Sequence, residues 1–560
     1  MKMNNIKKIT LALSTALVVA GTGCKVDYDI NSSTEDLTAG AVDYKTVLPT
    51  AINNSARIIA ADWKFLQNWM GYWARSGSYQ NVADEETYNF TNDFPAAGGN
   101  GAGNPWNDLY YNSSNYTYVQ RNAVSNGACM YEAICRIMKA QNFQILTDVY
   151  GDVPYFEALK GNDVRTPKYD KGEDIYNDLF RQLDTAIAIL HDADASSAAK
   201  NPDISRNDLV FKGDPAKWIK FANTLKLRML VHCFDVPSLI DIPAEVAKIE
   251  AEGSGYLQSG ESAKINPGYS SAKPTPFYRA FAINENGVLA GTADLTKANA
   301  WAVGFGTAGT PGYYRWDGDP RENRLYVKPD LNSDPAIYQA AAFHKGAEYG
   351  YISGTTPGFT GELLSSINQI NAAAPNIGLT PSGPASDAWI MTSVESLFLQ
   401  AEARERGIIT SGPSAESLLT DAIRESFLFL GLTTTQADTY VANNATYPDV
   451  DYNGVPQGPG LPGGGIFTIL SQKWFAMNGI AAFEVWTDFR RTDVVYGEGG
   501  GYDPGPPLSI LPGAESQLPV RLFYPSSEYN YNDVNVGAQG EIDVFDGNGN
   551  PNNRVFWDRQ

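Results

Sequence analysis

The sequence predicts a mainly α-helical protein, in which helical hairpins stack like tetratricopeptide repeats and a large loop-rich region interrupts them. In several stretches of the 560-residue chain, apolar residues recur at helical spacing. Asp214-Pro215 adds a capping side chain followed by a proline at the first helical position. From Gly253 to Thr380 the periodicity fades, and Gly, Pro, Asn and aromatic residues predict loops with short helices or strands. An irregular region of this length is usually functional.

The first predicted helix spans Tyr44–Trp73, and Ser78–Pro105 is predicted to be loop because Asn, Gly, Asp and Pro crowd it. Pairs of successive helices predict hairpins mainly over residues 107–252 and 388–490, with 253–387 as an insertion in a single domain, 42–560. The remaining predicted helices are Asn107–Leu146 (one helix or two), Asp174–His191, Asp214–Phe234, Ser238–Glu252, Ala388–Gly407, Ser414–Leu430 and Ile466–Asp488.

The N-terminus has the pattern of a secretory signal. Basic residues precede the short apolar run Ile9–Ala20, and small residues then lead to Cys24. A cysteine at this place indicates a bacterial lipoprotein signal over 1–23, with Cys24 acylated, although Gly21 stands where such signals usually carry an aliphatic residue. Ordinary secretion is the alternative. The polar, acidic stretch 24–41 is then expected to be a flexible tether.

Composition limits the partners. The formal net charge of −21 argues against nucleic acids and anionic lipids as partners, since both require a basic surface, and membrane attachment would depend on acyl chains. After Cys24 only Cys129, Cys135 and Cys233 remain. Three thiols do not make a disulfide framework, and we expect small buried hydrophobic residues.

Two aromatic clusters are the best candidates for ligand contact, because sugar C–H faces stack on aromatic rings and sugar hydroxyls bind Asn, Asp and Arg. Trp69, Tyr72 and Trp73 follow helical spacing, however, so the alternative for them is one buried stripe. The candidate ligand-binding residues are Trp73, Arg75, Tyr79, Asn81, Tyr88 and Trp106 in the first cluster, and Tyr313, Tyr314 and Trp316 in the second.

Signals for metal binding and catalysis are weak. Asp449, Asp451 and Asn453 match the opening of a calcium loop, but Gly460 stands where an EF-hand needs a glutamate, and an Asx turn is the alternative. The three histidines show no zinc spacing, and no nucleophile elbow or phosphate-binding loop is present. We therefore expect a binding protein, not an enzyme. Abundant carboxylates leave a secreted glycan hydrolase as the alternative.

A series of motifs gives a more specific indication. The motifs are Leu146–Leu159, Thr166–Asp170, Lys217–Arg228, Asp319-Pro320-Arg321, Glu395–Gly407, Gln472-Lys473-Trp474, Trp486–Thr492 and Leu522–Glu528. From the residues alone, Gly151 and Pro154 predict a turn, and Arg490 and Arg491 predict a buried ion-pair network with nearby acidic side chains. The order of these motifs resembles that of SusD/RagB-type outer-membrane lipoproteins of Bacteroidetes.

The resemblance implies a tetratricopeptide-like scaffold with a loop-rich ligand face, anchored at the cell surface. It also implies a SusC-type TonB-dependent barrel as partner, over which the lipoprotein acts as a lid. Such a protein captures oligosaccharide or peptide and delivers it for import. A purely structural lid, whose aromatic residues pack internally, remains an alternative.

Overall fold

Helices dominate the part of the chain that the structure describes. The computed structural model describes residues 42–75, 83–95, 104–290, 295–304, 318–328, 344–352, 364–367, 378–454, 464–492 and 508–558. The main helices are α1 (Tyr44–Ala61), α2 (Lys64–Trp69), α3 (Pro105–Asn126), α4 (Cys129–Tyr150), α5 (Gly172–His191), α6 (Pro215–His232), α7 (Ile242–Glu252), α8 (Ser393–Glu405), α9 (Ala415–Phe429), α10 (Thr434–Asn443), α11 (Gly465–Met477) and α12 (Ala482–Arg491). The prediction of a mainly α-helical fold is confirmed.

Helices α3 and α4 form the first hairpin. The sequence predicted one helix or two over Asn107–Leu146, and the structure shows two. Gly127 ends α3 in the left-handed conformation, with a φ of 66°. Its N–H bonds back to the carbonyl of Val124 at 3.2 Å. Further packing joins α1 to α3, α4 to α5 and α5 to α6, so successive helices stack side by side. Helix α6 begins as predicted, since the Asp214 carboxylate accepts from the Ala216 N–H at 3.0 Å and Pro215 opens the helix.

The second helical group contains α8, which packs on both α9 and α11. One predicted boundary here is wrong. Residues Ala388–Met391 form strand β6 instead of the first turn of α8, and they pair with β4 (Ala263–Ile265). All of β6 is buried, and Thr392 then caps α8 by accepting from the Glu395 N–H at 3.2 Å. A short apolar run is compatible with a helix or a strand, and here the pairing with the distant strand β4 makes it a strand.

Two other long predicted helices are interrupted. The first predicted helix, Tyr44–Trp73, ends beyond α2 at Gly71, which has a φ of 76°, and continues as strand β1 (Trp73–Arg75). Similarly, Gly479 has a φ of 76° and separates α11 from α12. In both places glycine allows a backbone turn that side-chain periodicity does not reveal.

Short elements fill the region of weak periodicity, as predicted. Strand β5 (Thr296–Ala298) pairs antiparallel with β1, and Arg75 lies opposite Thr296. A further pair joins β2 (Val153–Pro154) to β3 (Tyr169–Asp170). The short helices outside the main set are Ala83–Thr87, Ile204–Asn207, Pro276–Phe281, Ala300–Val303, Glu322–Leu325, Ser526–Tyr531 and Asp533–Gly537, with 3-10 turns at Gly161–Asp163, Ala193–Ser196 and Gly383–Ala385.

One set of contacts joins the two ends of the fold. Tyr72 donates its hydroxyl to the Trp474 carbonyl at 2.7 Å, and the two rings stack with centroids 4.5 Å apart. The Trp474 indole N–H donates in return to the Met70 carbonyl at 3.0 Å, and the Gly479 N–H donates to the Gln67 side chain at 3.1 Å. The segment after α2 is therefore held by α11 and the turn that follows it.

The cysteines behave largely as predicted. Cys135 and Cys233 are buried, Cys129 is half-buried, and all three are free thiols. Burial raises the pKa of the Cys135 and Cys233 thiols, which keeps them protonated and unreactive. Among the helices of the described ranges, none combines the length and apolar character needed to cross a bilayer.

Candidate ligand-binding site

The antiparallel pair β1–β5, here called the root ribbon (Trp73–Arg75 with Thr296–Ala298), anchors two neighbouring parts of the chain. Ala347 extends it, because its N–H donates to the Ala298 carbonyl at 2.9 Å and its carbonyl accepts from Ala300 at 2.8 Å. Gly346 then donates to the Gly304 carbonyl at 2.9 Å. Ala347 also shares a small apolar cluster with Ala74 of β1. The backbone at residue 74 and the backbone at residue 304 are thus fixed in one unit.

A buried ion pair fastens this ribbon on its β1 side. The Arg75 guanidinium donates to the Glu86 carboxylate at 2.7 and 3.0 Å, and it also donates to the Tyr351 carbonyl at 3.0 Å. Burial raises the pKa of Glu86, and the charge of Arg75 opposes that shift. Arg75 precedes the undescribed residues 76–82 and Glu86 follows them, so the ion pair holds together the two ends of that segment. The sequence predicted that Arg75 contacts a ligand, whereas in this structure its guanidinium is bound to Glu86 and to the Tyr351 carbonyl inside the protein.

The predicted aromatic stripe lies in the core. Trp69 and Tyr72 are fully buried and Trp73 is 2% exposed, so the buried-stripe alternative describes their packing. The Trp73 ring meets Phe281 edge-on, with centroids 5.1 Å apart. Contact between Trp73 and a ligand stays a prediction, and it requires the ring to leave this packing.

Tyr88 and Trp106 are also interior residues, with 1% and 4% of their surfaces exposed. The Tyr88 hydroxyl accepts from the Ser509 N–H at 2.9 Å, and the Trp106 ring packs edge-on against Tyr150 at 5.0 Å. Their aromatic character serves the core in this structure. Direct ligand contact by these two rings is untested, and it would require the same kind of opening.

The other predicted residues, Tyr79, Asn81, Tyr313, Tyr314 and Trp316, lie outside the described residues. What the structure does describe is the chain beside them. Arg75 comes four residues before Tyr79, and Gly304 is the last described residue before 305–317. Both belong to the root ribbon unit. The ribbon unit therefore brings together the backbone at residues 75 and 304, which are more than 200 positions apart in sequence.

Four motif carboxylates, Asp148, Glu395, Glu402 and Asp488, lie in a buried ionic network, as predicted for Arg491. Its guanidinium donates to Glu402 through two bonds of 2.7 Å, whereas Arg490 donates to the Asp148 carbonyl and stacks on Trp486. Burial raises the pKa of Glu484, but Arg228 and His232 outweigh it and hold the pKa at about 2. Further pairs in the network are Arg228–Glu395, His232–Asp148 and Lys473–Asp488. Cations already compensate these carboxylates, which fits a stabilising role.

The candidate calcium loop forms an Asx turn. The Asp451 carboxylate accepts from the Asn453 N–H at 3.1 Å, and the Asn453 amide donates to Glu416 at 3.0 Å. Asp449 uses its backbone carbonyl, which accepts from Gln472 at 2.8 Å. Within the described ranges, no three His, Cys, Asp or Glu side chains converge as a metal site. The hydrogen bonds of Asp451 and Asn453 need no ion to explain them.

Sequence reasoning missed Phe156, whose side chain is 45% exposed at the edge of a groove beside α4. It directly follows Tyr155 in the first motif, from which only a turn at Gly151 and Pro154 was predicted. One signal in the sequence could have indicated its exposure. Glu157 is charged and Ala158 is small, so the residues after Phe156 do not continue the run of large apolar side chains that a buried segment shows.

Comparison with known proteins gives a consistent result. The family model described as SusD-like, "starch-binding associating with outer membrane", matches residues 37–282 and 329–525. A chitin-binding SusD homologue from Flavobacterium johnsoniae aligns with 92% of this chain and 99% of its own, at 22% identity and a TM-score of 0.66. A SusD homologue from Bacteroides uniformis covers 93% and 100% at 22% identity and a TM-score of 0.62. The chain matches no curated protein sequence significantly.

Proposed function

This chain belongs to the SusD-like family, and we propose that it is a lipid-anchored surface protein that binds oligosaccharides and delivers them to a SusC-type TonB-dependent outer-membrane transporter. A chitin-binding homologue of the same fold supports glycan as the ligand class. The buried, cation-paired motif carboxylates favour a binding role over hydrolysis, since a glycosidase needs two carboxylates that face each other across an open cleft.

The shared root ribbon is the observation that carries the proposal. Tyr79 and Asn81 follow β1 in the chain, while Tyr313, Tyr314 and Trp316 follow the Gly304 end of the same unit. An anchor common to both clusters supports one site, in which several rings stack on neighbouring sugar units and the amide of Asn81 binds hydroxyls. A rigid ribbon below such a site would reduce the entropy lost on binding.

Calorimetry with a panel of oligosaccharides, including chitin and starch fragments, tests the site. We expect Trp316→Ala and Tyr79→Ala each to weaken binding about tenfold or more, because losing one stacked ring removes at least about 1.4 kcal/mol. Tyr531→Ala is the matched control, since Tyr531 is 79% exposed and belongs to neither cluster. Equal affinity in all three variants would refute the shared site. Tight binding of peptides without binding of glycans would show that the ligand is a peptide and not an oligosaccharide.

The lipid anchor and the transporter partner need a separate experiment. Cys24→Ser should move the protein from the membrane to the soluble fraction and leave its oligosaccharide affinity unchanged, because the thiol is the acylation point. The wild-type protein should co-purify with an outer-membrane barrel after mild detergent extraction. A Cys24→Ser protein that stays in the membrane, or a wild-type protein isolated without a barrel, would contradict this part of the proposal.

A further inference from the structure

A second concave surface lies between α3, α4, α5 and the segment after β2. This groove, here called the α3–α5 groove, has a volume of about 570 Å³ and shares no residue with the root ribbon. Small-molecule sites commonly measure about 300–1,000 Å³, whereas macromolecular contacts are flatter. Two exposed apolar side chains line it, Phe156 and the 55% exposed Val124, together with Leu159. The dimensions and the apolar wall suit a ring-shaped ligand.

The same groove is rich in cations, although the whole chain has a net charge of −21. Arg121, Arg136, Lys139 and Lys160 all line it. Arg121 donates to the Leu159 carbonyl at 3.1 Å, and Arg136 donates to Glu132 at 3.0 Å and is also bound to Gln182. These two guanidinium groups therefore have partners within the protein.

Lys139 differs from Lys160, which is exposed to solvent, because Lys139 is half-buried. Its ammonium group has no hydrogen-bond or ion-pair partner among the described residues. The acidic side chain of the groove, Asp178, is already occupied, because it accepts from the Tyr155 hydroxyl at 2.6 Å and pairs with Arg181 at 2.9 Å. Burial lowers the pKa of Lys139 to about 8, and Arg136 and Arg121 act in the same direction. A half-buried ammonium without a bound anion is unfavourable, and a carboxylate ligand would compensate it.

We propose that the α3–α5 groove binds a hexuronic acid unit of an acidic oligosaccharide, with its carboxylate on Lys139 and its C–H face on Phe156. Lys139 is half-buried and has no anionic partner in the part of the chain that the structure describes, whereas Arg136 is neutralised by Glu132. Both Arg121 and Lys160 are exposed to solvent, so one carboxylate on Lys139 supplies the missing charge. The exposed Phe156 ring offers the apolar face that a sugar ring requires. This site is additional to the one on the root ribbon and does not depend on it.

The first experiment needs no variant. Calorimetry at pH 8 compares a glucuronate-terminated disaccharide with its neutral glucose counterpart, in two buffers of different ionisation enthalpy. We expect the acidic sugar alone to bind, with net proton uptake, because burial lowers the pKa of the Lys139 ammonium to about 8 and a bound carboxylate raises it again. Equal affinity for the neutral sugar would overturn the proposal.

Variants assign the effect to the groove. Lys139→Met should weaken binding of the acidic disaccharide about tenfold or more and abolish proton uptake, because it removes a charge-assisted bond. Lys139→Arg should retain affinity, and Lys273→Met, at an exposed lysine elsewhere, should change nothing. Phe156→Ala should also weaken binding, and as a partly exposed position it tests the groove even if Lys139→Met misfolds. Unchanged affinity in these groove variants, or preference for an acidic peptide, would refute the assignment.

Discussion

Replacing Arg321 with methionine tests how strongly the fold depends on one buried charge. Arg321 and Asp319 are both fully buried, and the guanidinium donates to the Asp319 carboxylate at 2.9 and 2.7 Å. It also donates to the Ser426 hydroxyl and to the Gln472 side chain, each at 2.9 Å. The Phe427 ring covers its face at 4.8 Å. Arg321 therefore joins the Asp-Pro-Arg turn to α9 and α11.

Arg321→Met keeps most of the side-chain volume but leaves the Asp319 carboxylate buried without its cation. Removing one partner of a buried pair costs about 3–5 kcal/mol in the free energy of unfolding. The matched control is Arg424→Met, which breaks the exposed Arg424–Asp438 pair and should cost less than about 1 kcal/mol. Urea unfolding followed by both fluorescence and circular dichroism measures the difference in midpoint.

A second variant tests whether the unpaired Asp319 carboxylate causes the loss of stability. Arg321→Met combined with Asp319→Leu removes both charges, so it should be more stable than Arg321→Met alone, because the unpaired carboxylate is gone. The reasoning is refuted if Arg321→Met shifts the urea midpoint no further than Arg424→Met. It is refuted equally if the double variant is less stable than the single one, since the cost would then not arise from an isolated anion.

Two further predictions concern the first motif and the ionic network. Gly151 has φ 74° and ψ −128°, and a Cβ there would lie 3.0 Å from the Arg521 guanidinium, so Gly151→Ala should lower the urea midpoint more than Gly127→Ala, where nothing lies within 4 Å. Burial lowers the pKa of His232, but Glu484 and Asp148 outweigh it and raise the pKa above its usual 6.5. This stabilisation is complete below about pH 6.5 and is lost as the pH rises through the raised pKa. The midpoint difference between wild type and His232→Gln should therefore shrink as the pH rises above about 6.5, and a constant difference would contradict it.

Local signals in the sequence predicted local structure well. Asp214-Pro215 marks the start of α6, because a capping carboxylate and a helix-opening proline act within one turn. The prediction failed where a distant partner decided the conformation. Strand β6 exists because β4, more than 120 residues earlier, offers it a backbone edge. No pattern within Ala388–Met391 contains that information.

The candidate site shows the same limit. Composition identified Trp73 as an aromatic residue in a Gly- and Asn-rich neighbourhood, but Phe281, from a distant part of the chain, makes it a core residue. Arg75 was recognised as a polar group near rings, and its partner Glu86 lies only 11 residues away. A nearby acidic residue alone does not predict an ion pair, because that pairing depends on burial. Lys139 was missed because the feature that distinguishes it is the lack of a partner.

The contacts between the segment after α2 and α11 have a consequence for the order of folding. The Tyr72–Trp474 and Gln67–Gly479 hydrogen bonds join residues that are 402 and 412 positions apart. Contacts of such long sequence separation form late, because most of the chain must be present before the loop between them can close. During synthesis or export from the N-terminus, Gln67 and Tyr72 stay without these two partners until residue 479 has emerged. Chains shortened before Trp474 would leave the Tyr72 ring without the indole that stacks on it, and would tend to aggregate.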